Sequence, residues 1–323
     1  MIKYILKRLL YSIPIIIGIT IITFAVMFFT PGKPTDAMTD FNTKITSESK
    51  ERLNQLYGLD KPVHIQYWNW LKRVVVLDFG DSFKDSRPAS EKIIERLPAT
   101  LLLNILSILL MLLVAIPVGV YSAVKKYTFA DRSLTVIMFI CFSVPSFWVA
   151  LMLMIVFGLW LGWLPISGIM SFNFADMSLA AQIWDLTKHL ILPVFVSSLA
   201  SFAVLSRYVR SGMLDQLKQD YVKTAYAKGL SERQVVFRHV LKNALLPLIT
   251  IIGLSIPGLI GGSFIIETIF SYPGMGRLGY EAIMARDYPV IMGIGIIAAF
   301  LTLLGNIIAD VLYAVTDPRI RYK

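Results

Sequence analysis

The stretch LPATLLLNILSILLMLLVAIPVGVYSAV, residues 97–124, runs from Arg96 to Lys125 without one Asp, Glu, Lys, Arg or His. About 20 apolar residues in an α-helix cross a ~30 Å hydrocarbon core, and a helix satisfies its own backbone groups there. Five further segments have the same character: Leu9–Phe29, Leu134–Trp160, Leu190–Ser206, Ala244–Ile266 and Pro289–Ala309. The whole chain of 323 residues is 56% hydrophobic and only 16% charged, with a mean hydropathy of +0.67. Soluble domains are about a quarter charged. The sequence therefore predicts an all-α polytopic membrane protein with six transmembrane helices.

The net charge of +10 is accounted for by topology, without nucleic acid. Short cytosolic loops of membrane proteins collect Lys and Arg. With both termini inside, Lys3, Lys7, Arg8, Lys125, Lys126, Arg132, the eight basic residues from Arg207 to Lys242, Arg319, Arg321 and Lys323 fall on one side. The other side keeps Lys188, Arg277 and Arg286 outside the long first loop. A seventh span within Ser133–Ala175 would turn the basic 207–242 loop outward, so one span is assigned there. The chain divides into a signal-anchor helix (1–29), an extracytoplasmic loop or small cap between helices 1 and 2 (30–96), and a five-helix core (97–323) holding the cytosolic loop 207–243. The cap contains an apolar island from Tyr57 to Val76 with Trp68 and Trp70, suited to short helices. Gly258 and Gly262 form a G-x-x-x-G spacing that allows close helix packing. The single cysteine, Cys141, lies in an apolar run and reads as a structural thiol.

No Asp, Glu, Lys, Arg or His lies within the six segments as drawn, which argues against proton-coupled transport and against an intramembrane protease. Neither a phosphate-binding G-x-x-x-x-G-K-[ST] loop nor metal-ligand spacing is present, so no catalytic residue, metal site or bound cofactor is assigned. The informative segment is 207–243. Asp220 is placed to cap a short helix from Tyr221. Val222, Ala225, Tyr226 and Gly229 share one face of it, and Gly229 fits its end. Ser231-Glu232-Arg233-Gln234 is a capping box that restarts a helix at once. A helix-break-helix of this kind suits docking to a partner; the same spacing also suits an ordinary surface helix.

Asp220 to Ser231 resembles the EAA loop of binding-protein-dependent ABC importer permeases, in the form found in the oligopeptide, dipeptide and nickel permease family. The resemblance extends along the chain through Thr30-Pro31-Gly32, Tyr57-Gly58-Leu59-Asp60, Leu164-Pro165-Ile166-Ser167-Gly168, Glu267 to Gly276 and Asp317-Pro318-Arg319. Lys223 and Thr224 stand where the EAA pattern has Glu and its first Ala. Lys242 stands at its proline, with Pro247 five residues later.

The resemblance implies a type I ABC importer permease fold in a bacterial or archaeal cell (inner) membrane. A second, homologous permease subunit would complete a heterodimer, two cytosolic ATPases would use ATP and Mg, and an extracytoplasmic binding protein would deliver peptide. Membrane lipid is the remaining partner. The coupling residues would be Asp220, Tyr221, Val222, Ala225, Tyr226, Gly229, Leu230 and Ser231. Asn104, Ser143, Ser146, Ser198 and Ser201 are candidates for the translocation path, although each also suits helix packing. Trp68, Trp70, Tyr272 and Arg277 are candidates for receptor docking. Nickel, glutathione or another small solute as cargo, and a secondary transporter or channel as the class, are the alternatives.

Overall fold

The computed structural model describes residues 2–29, 60–245 and 261–316, together with Leu248, Ile251, Gly253, Ser255 and Pro257–Leu259. The Thr30-Pro31-Gly32 and Asp317-Pro318-Arg319 motifs, Tyr57-Gly58-Leu59 and Pro247 lie outside the described residues. The described elements are helical, without strands. Helix α1 covers Ile2–Phe29, and α2 covers Val63–Val75 within the apolar island. Helix α3 is Ala89–Val124, and α4 is Phe129–Ser143. Helix α5, Ser146–Leu153, passes into a π-helical segment, Met154–Trp160. Helix α6 is Leu179–Leu217, and α7 is Asp220–Ala227. A composite α8 joins Glu232–Gln234, the π-helical Val235–Val240 and Leu241–Ala244. Helices α9 (Phe264–Ile269), α10 (Met275–Met284) and α11 (Tyr288–Thr316) complete the chain.

Among the described residues, three helices are long and apolar enough to cross a membrane: α3, α6 and the Tyr288–Ala309 part of α11. Helices α4 and α5 make a fourth if taken as one broken span. Leu134–Trp160, expected as a single helix, is instead bent by 97° between Ser143 and Ser146. The cause is local. Pro145 has no N–H to donate, and its ring pushes Val144 out of the helical region to φ −79°, ψ 129°.

Two other segments differ from expectation. The apolar run Leu190–Ser206 is only the middle of α6, whose 39 residues correspond to ~58 Å at 1.5 Å each. The described part of Ala244–Ile266 is not one helix: a 3-10 turn at Pro257–Leu259 is followed by a turn before α9. Gly262 there has φ +61°, a left-handed conformation open to glycine. A Cβ on it would stand 2.7 Å from the Gly276 nitrogen. Gly258 and Gly262 thus do not share a helix face, and the second serves a turn.

Among the described residues, three apolar clusters hold the fold. One joins α3, α6, α7 and α8 through residues such as Met111, Val209, Met213, Val222, Val235 and Val240. A second, at the opposite end of α3, joins α2, α10 and α11 through Val74, Ile93, Leu278 and Val290. The third surrounds Leu103, Leu192, Val196 and Phe270. Across the second cluster, the loop before α3 is tied to the α10–α11 turn. The Ser82 hydroxyl and the Phe83 N–H both donate to the buried Asp287 carboxylate, and Lys92 donates to Ser82 and Asp85.

Candidate functional site

Helix α7 follows α6 after Lys218 and Gln219, and its two turns are held from inside. Val222 and Ala225 are buried among α3, α6 and α8, close to Val235 and Val240. Of the face shared by Val222, Ala225, Tyr226 and Gly229, the first two thus turn inward and are not offered to a partner. The most apolar face of an amphipathic helix turns to its own core, and that core belongs to this chain. The outward face carries Tyr221, Lys223, Thr224, Tyr226 and Ala227, all exposed. Tyr221 donates to Gln216 Oε1 at 2.8 Å, which fixes its ring at the α6–α7 corner.

The ends of α7 follow the sequence with one change. Gln219 occupies the N-cap position, and Asp220 is the first helical residue, pairing with Lys223 at 2.8 Å. An acid in the first turn still suits the positive end of a helix. At the other end Gly229 has φ +79°. Its N–H donates to Tyr226 O at 2.9 Å, and Leu230 N–H reaches back to Ala225 O at 3.3 Å, the wrapped closure expected of a helix-ending glycine. Leu230 then tucks its side chain against the same core. Ser231 opens α8 with the full capping box, its oxygen accepting from Gln234 N while Gln234 Oε1 accepts from Ser231 N. The result is a helix anchored on an apolar seat that presents a small aromatic and polar face.

Asp131 and Arg210 stabilise this end of the bundle. Asp131, in the first turn of α4, is buried and accepts from Arg210 Nε at 3.1 Å and Nη2 at 2.9 Å. The planar fork of Arg suits such a bidentate pair. It joins α4 to α6 about two turns before α6 ends.

The path candidates separate into two sets. Ser198 is buried and donates to Ser107 O and Val194 O, and Asn104 donates to Leu259 O at 2.6 Å. Both are engaged in packing. Ser143 and Ser146 flank the 97° break and are exposed, and Ser201 is half-buried on α6. Ser197, one turn before Ser201, carries the one buried side-chain oxygen among the described residues without a hydrogen-bond partner.

The docking candidates also separate. Trp68 is exposed beside Lys72, whereas Trp70 is half-buried against Phe24 of α1. Tyr272 is completely buried and donates to Ala99 O at 2.8 Å, so it is not a docking residue. Arg277 is half-buried and pairs with Glu281.

What holds the Tyr272–Arg277 turn is a residue that the sequence reading placed in a resembling motif without giving it a role. Glu267 is fully buried; its carboxylate accepts from Arg277 N at 2.8 Å and from Thr100 Oγ1 at 3.2 Å, while Thr100 Oγ1 accepts from Met275 N at 2.7 Å. The carboxylate thereby caps the first turn of α10 and links it to α3. Gly274 has no space for a side chain, since a Cβ would stand 2.4 Å from Glu267 Cδ. An acid directly after an apolar run and seven residues before Gly274 was the available signal.

Comparison with known proteins places this geometry. Residues 115–322 match the family described as binding-protein-dependent transport system inner membrane component, and residues 1–104 match its N-terminal companion. The oligopeptide transport system permease protein AppB of Bacillus subtilis is 47% identical over 323 residues, covering all of both chains. The dipeptide transport system permease proteins DppB of Alkalihalophilus pseudofirmus and Escherichia coli are 36% and 38% identical, again over all of both chains. A chain of the MetNI methionine ABC transporter, solved in inward-facing conformations, shares the fold with a TM-score of 0.50 at 16% identity, covering 68% of this chain and 95% of that one. The protein belongs to the family of binding-protein-dependent transport system inner membrane components.

Proposed function

We propose that this chain is one transmembrane half of an ABC importer for peptides. It would pair with a second, homologous permease, with two ATPases at α7 and a substrate-binding protein at the opposite face. The observation that carries the reading is α7: a helix anchored by Val222 and Ala225 with Tyr221 and Tyr226 left facing outward. Aromatic residues of this kind are favoured anchors at protein interfaces. Full-length relatives named for oligopeptide and dipeptide transport support the peptide cargo. The chain has no phosphate-binding loop, so ATP and Mg would belong to the partner subunits. The exposed Ser143 and Ser146 at the broken helix, with Ser197 and Ser201 on α6, would line part of the path. Trp68 and the edge of Arg277 would meet the binding protein.

The test is uptake of a labelled peptide into liposomes holding the whole complex. The expected result is uptake that needs internal or external ATP on the α7 side and the binding protein on the other. Uptake without ATP would return the chain to the secondary-transporter class, and uptake of nickel or glutathione in place of peptide would change the cargo. The topology has its own check. In a Cys141→Ser background, cysteines at Lys218 and Phe172 should react with an impermeant thiol reagent from opposite sides of the membrane. Reaction from one side would overturn the six-span arrangement with α4–α5 as one broken span.

A further inference from the structure

Between α3, α4 and α6 lies a cavity of about 800 Å³ whose chemistry changes along its length. At the α7 end its wall is Arg207, Tyr208, Arg210 and Ser211. Deeper in, it is formed by Leu134, Met138, Phe139, Phe142 and Val204. The hydroxyls among these apolar residues are already spent: Thr135 donates to Asp131 O at 2.8 Å, and Ser206 to Ala203 O at 3.2 Å. A peptide lodged there would find no free donor among these hydroxyls for its carbonyls, at a cost of roughly 1–3 kcal/mol for each. The mouth is the reverse. Arg207 is exposed, and nothing among the described residues accepts from its guanidinium. Arg210 gives only Nε and Nη2 to Asp131. The surrounding field is positive as well. The phenol of Tyr127, in the turn between α3 and α4, is held below its ordinary pKa by Lys126 first, with Arg210 and Lys218 contributing.

A site with the unpaired Arg207 at one end, beside the remaining N–H groups of the Asp131-neutralised Arg210, and unspent apolar wall at the other matches an amphiphile with an anionic head. We infer that this cavity holds an anionic phospholipid, its phosphate at Arg207 and Arg210 and an acyl chain along Phe139 and Phe142. The basic mouth provides the selection, since each Lys or Arg at a membrane surface favours anionic lipid by about 1 kcal/mol. The apolar wall fixes depth. Bound there, the lipid would wedge between α4 and α6 next to the Asp131–Arg210 pair. The inference rests on the membrane-spanning reading and is independent of the cargo.

The test uses the whole complex in nanodiscs of phosphatidylcholine doped with a phosphatidylglycerol bearing a photoreactive group on its acyl chain. The expected result is labelling concentrated in α4 between Leu134 and Phe142, competed by unlabelled phosphatidylglycerol and not by phosphatidylcholine. Arg207→Ala should lower that labelling about fivefold and Arg207→Lys should restore most of it. Val204→Trp, filling the deep end, should abolish it. Arg207 is exposed and unpaired, so its loss should leave assembly intact. Four outcomes would overturn the inference: labelling unchanged in Arg207→Ala, equal competition by phosphatidylcholine, displacement by millimolar inorganic phosphate alone, or a photoreactive peptide cargo labelling the same residues. ATP-driven peptide uptake by the wild-type complex, measured in parallel, stands or falls separately.

Discussion

The seat of α7 and the cradle of Glu267 are both buried, and they are held by opposite means. Val222 and Ala225 sit among methyl and methylene groups, where contacts are many, weak and undirected. The Gly229 that ends α7 has open space around it, with nothing within 4 Å of where a side chain would begin. Glu267 instead meets named donors at fixed distances, with Gly262, Gly274 and Gly276 pressed against its carboxylate. An apolar seat can shift by small amounts without losing any single decisive contact. A saturated carboxylate cannot, because each donor it releases is left unpaired in a buried site. The α10 end is thus built as a fixed clamp, and the α7 end as a seat able to slide under load.

The contrast can be broken by mutation, beginning with the largest expected effect. Glu267→Ala leaves the Arg277 N–H and the Thr100 hydroxyl unanswered and opens a hole beneath α10. We expect a loss of ~3–5 kcal/mol or failure to accumulate, read as the yield and thermal midpoint of the purified complex. A midpoint equal to wild type would show that the cradle is not a clamp. Ala225→Glu buries a carboxylate with no donor in the apolar seat, costing roughly 3 kcal/mol. Because the seat is local, the chain should still insert and the α10 end should remain intact, while ATPase association and uptake are lost. Normal uptake would dissociate α7 from coupling.

Tyr226→Ala should be silent for the stability of the chain and weaken ATPase association by ~2 kcal/mol, or about 30-fold, measured by co-purification against ATPase concentration. The smallest effect belongs to Gly229→Ala. With space available but φ +79°, only the backbone penalty of ~1 kcal/mol applies. Gly274→Ala is its counterpart, since the same added methyl meets a carboxyl carbon at 2.4 Å and should cost ~1–3 kcal/mol. Equal midpoints for the two alanine variants would erase the distinction between seat and clamp.

How much of this was legible differs by residue. The apolar runs identified the membrane class, and the Gly229 stop and Ser231 capping box were readable because local hydrogen-bonding rules fix them. Which way α7 faces was not readable correctly. Small residues at i and i+4, here Ala225 and Gly229, suit a close partner and a tight core equally, and Val222 on the same face as Ala225 decided for the core. The break at Val144 was present in the sequence as a residue before proline. Counting apolar length alone treats such a residue as continuous helix. Glu267 was named only within a resembling motif, and with the fifth segment drawn to end one residue short of it, its burial went unread. Tyr272 was misplaced because the groups that bury it, among them the Ala99 carbonyl that accepts from its hydroxyl, come from α3, far away in sequence.

The length of α6 has a mechanical consequence. One end of it is hitched at Asp185, whose carboxylate accepts from Ser171 N at 2.8 Å and from the Ser171 hydroxyl. The other end carries α7. If α6 moves as one body across the Pro193 within it, its ~58 Å would make it a lever arm: a rotation of roughly 5° about its midpoint, near Ser198, would sweep each tip by ~2.5 Å in opposite directions. A push on α7 too small to disrupt its apolar seat would therefore arrive, reversed in sense, at the Asp185 hitch on the far side of the bundle.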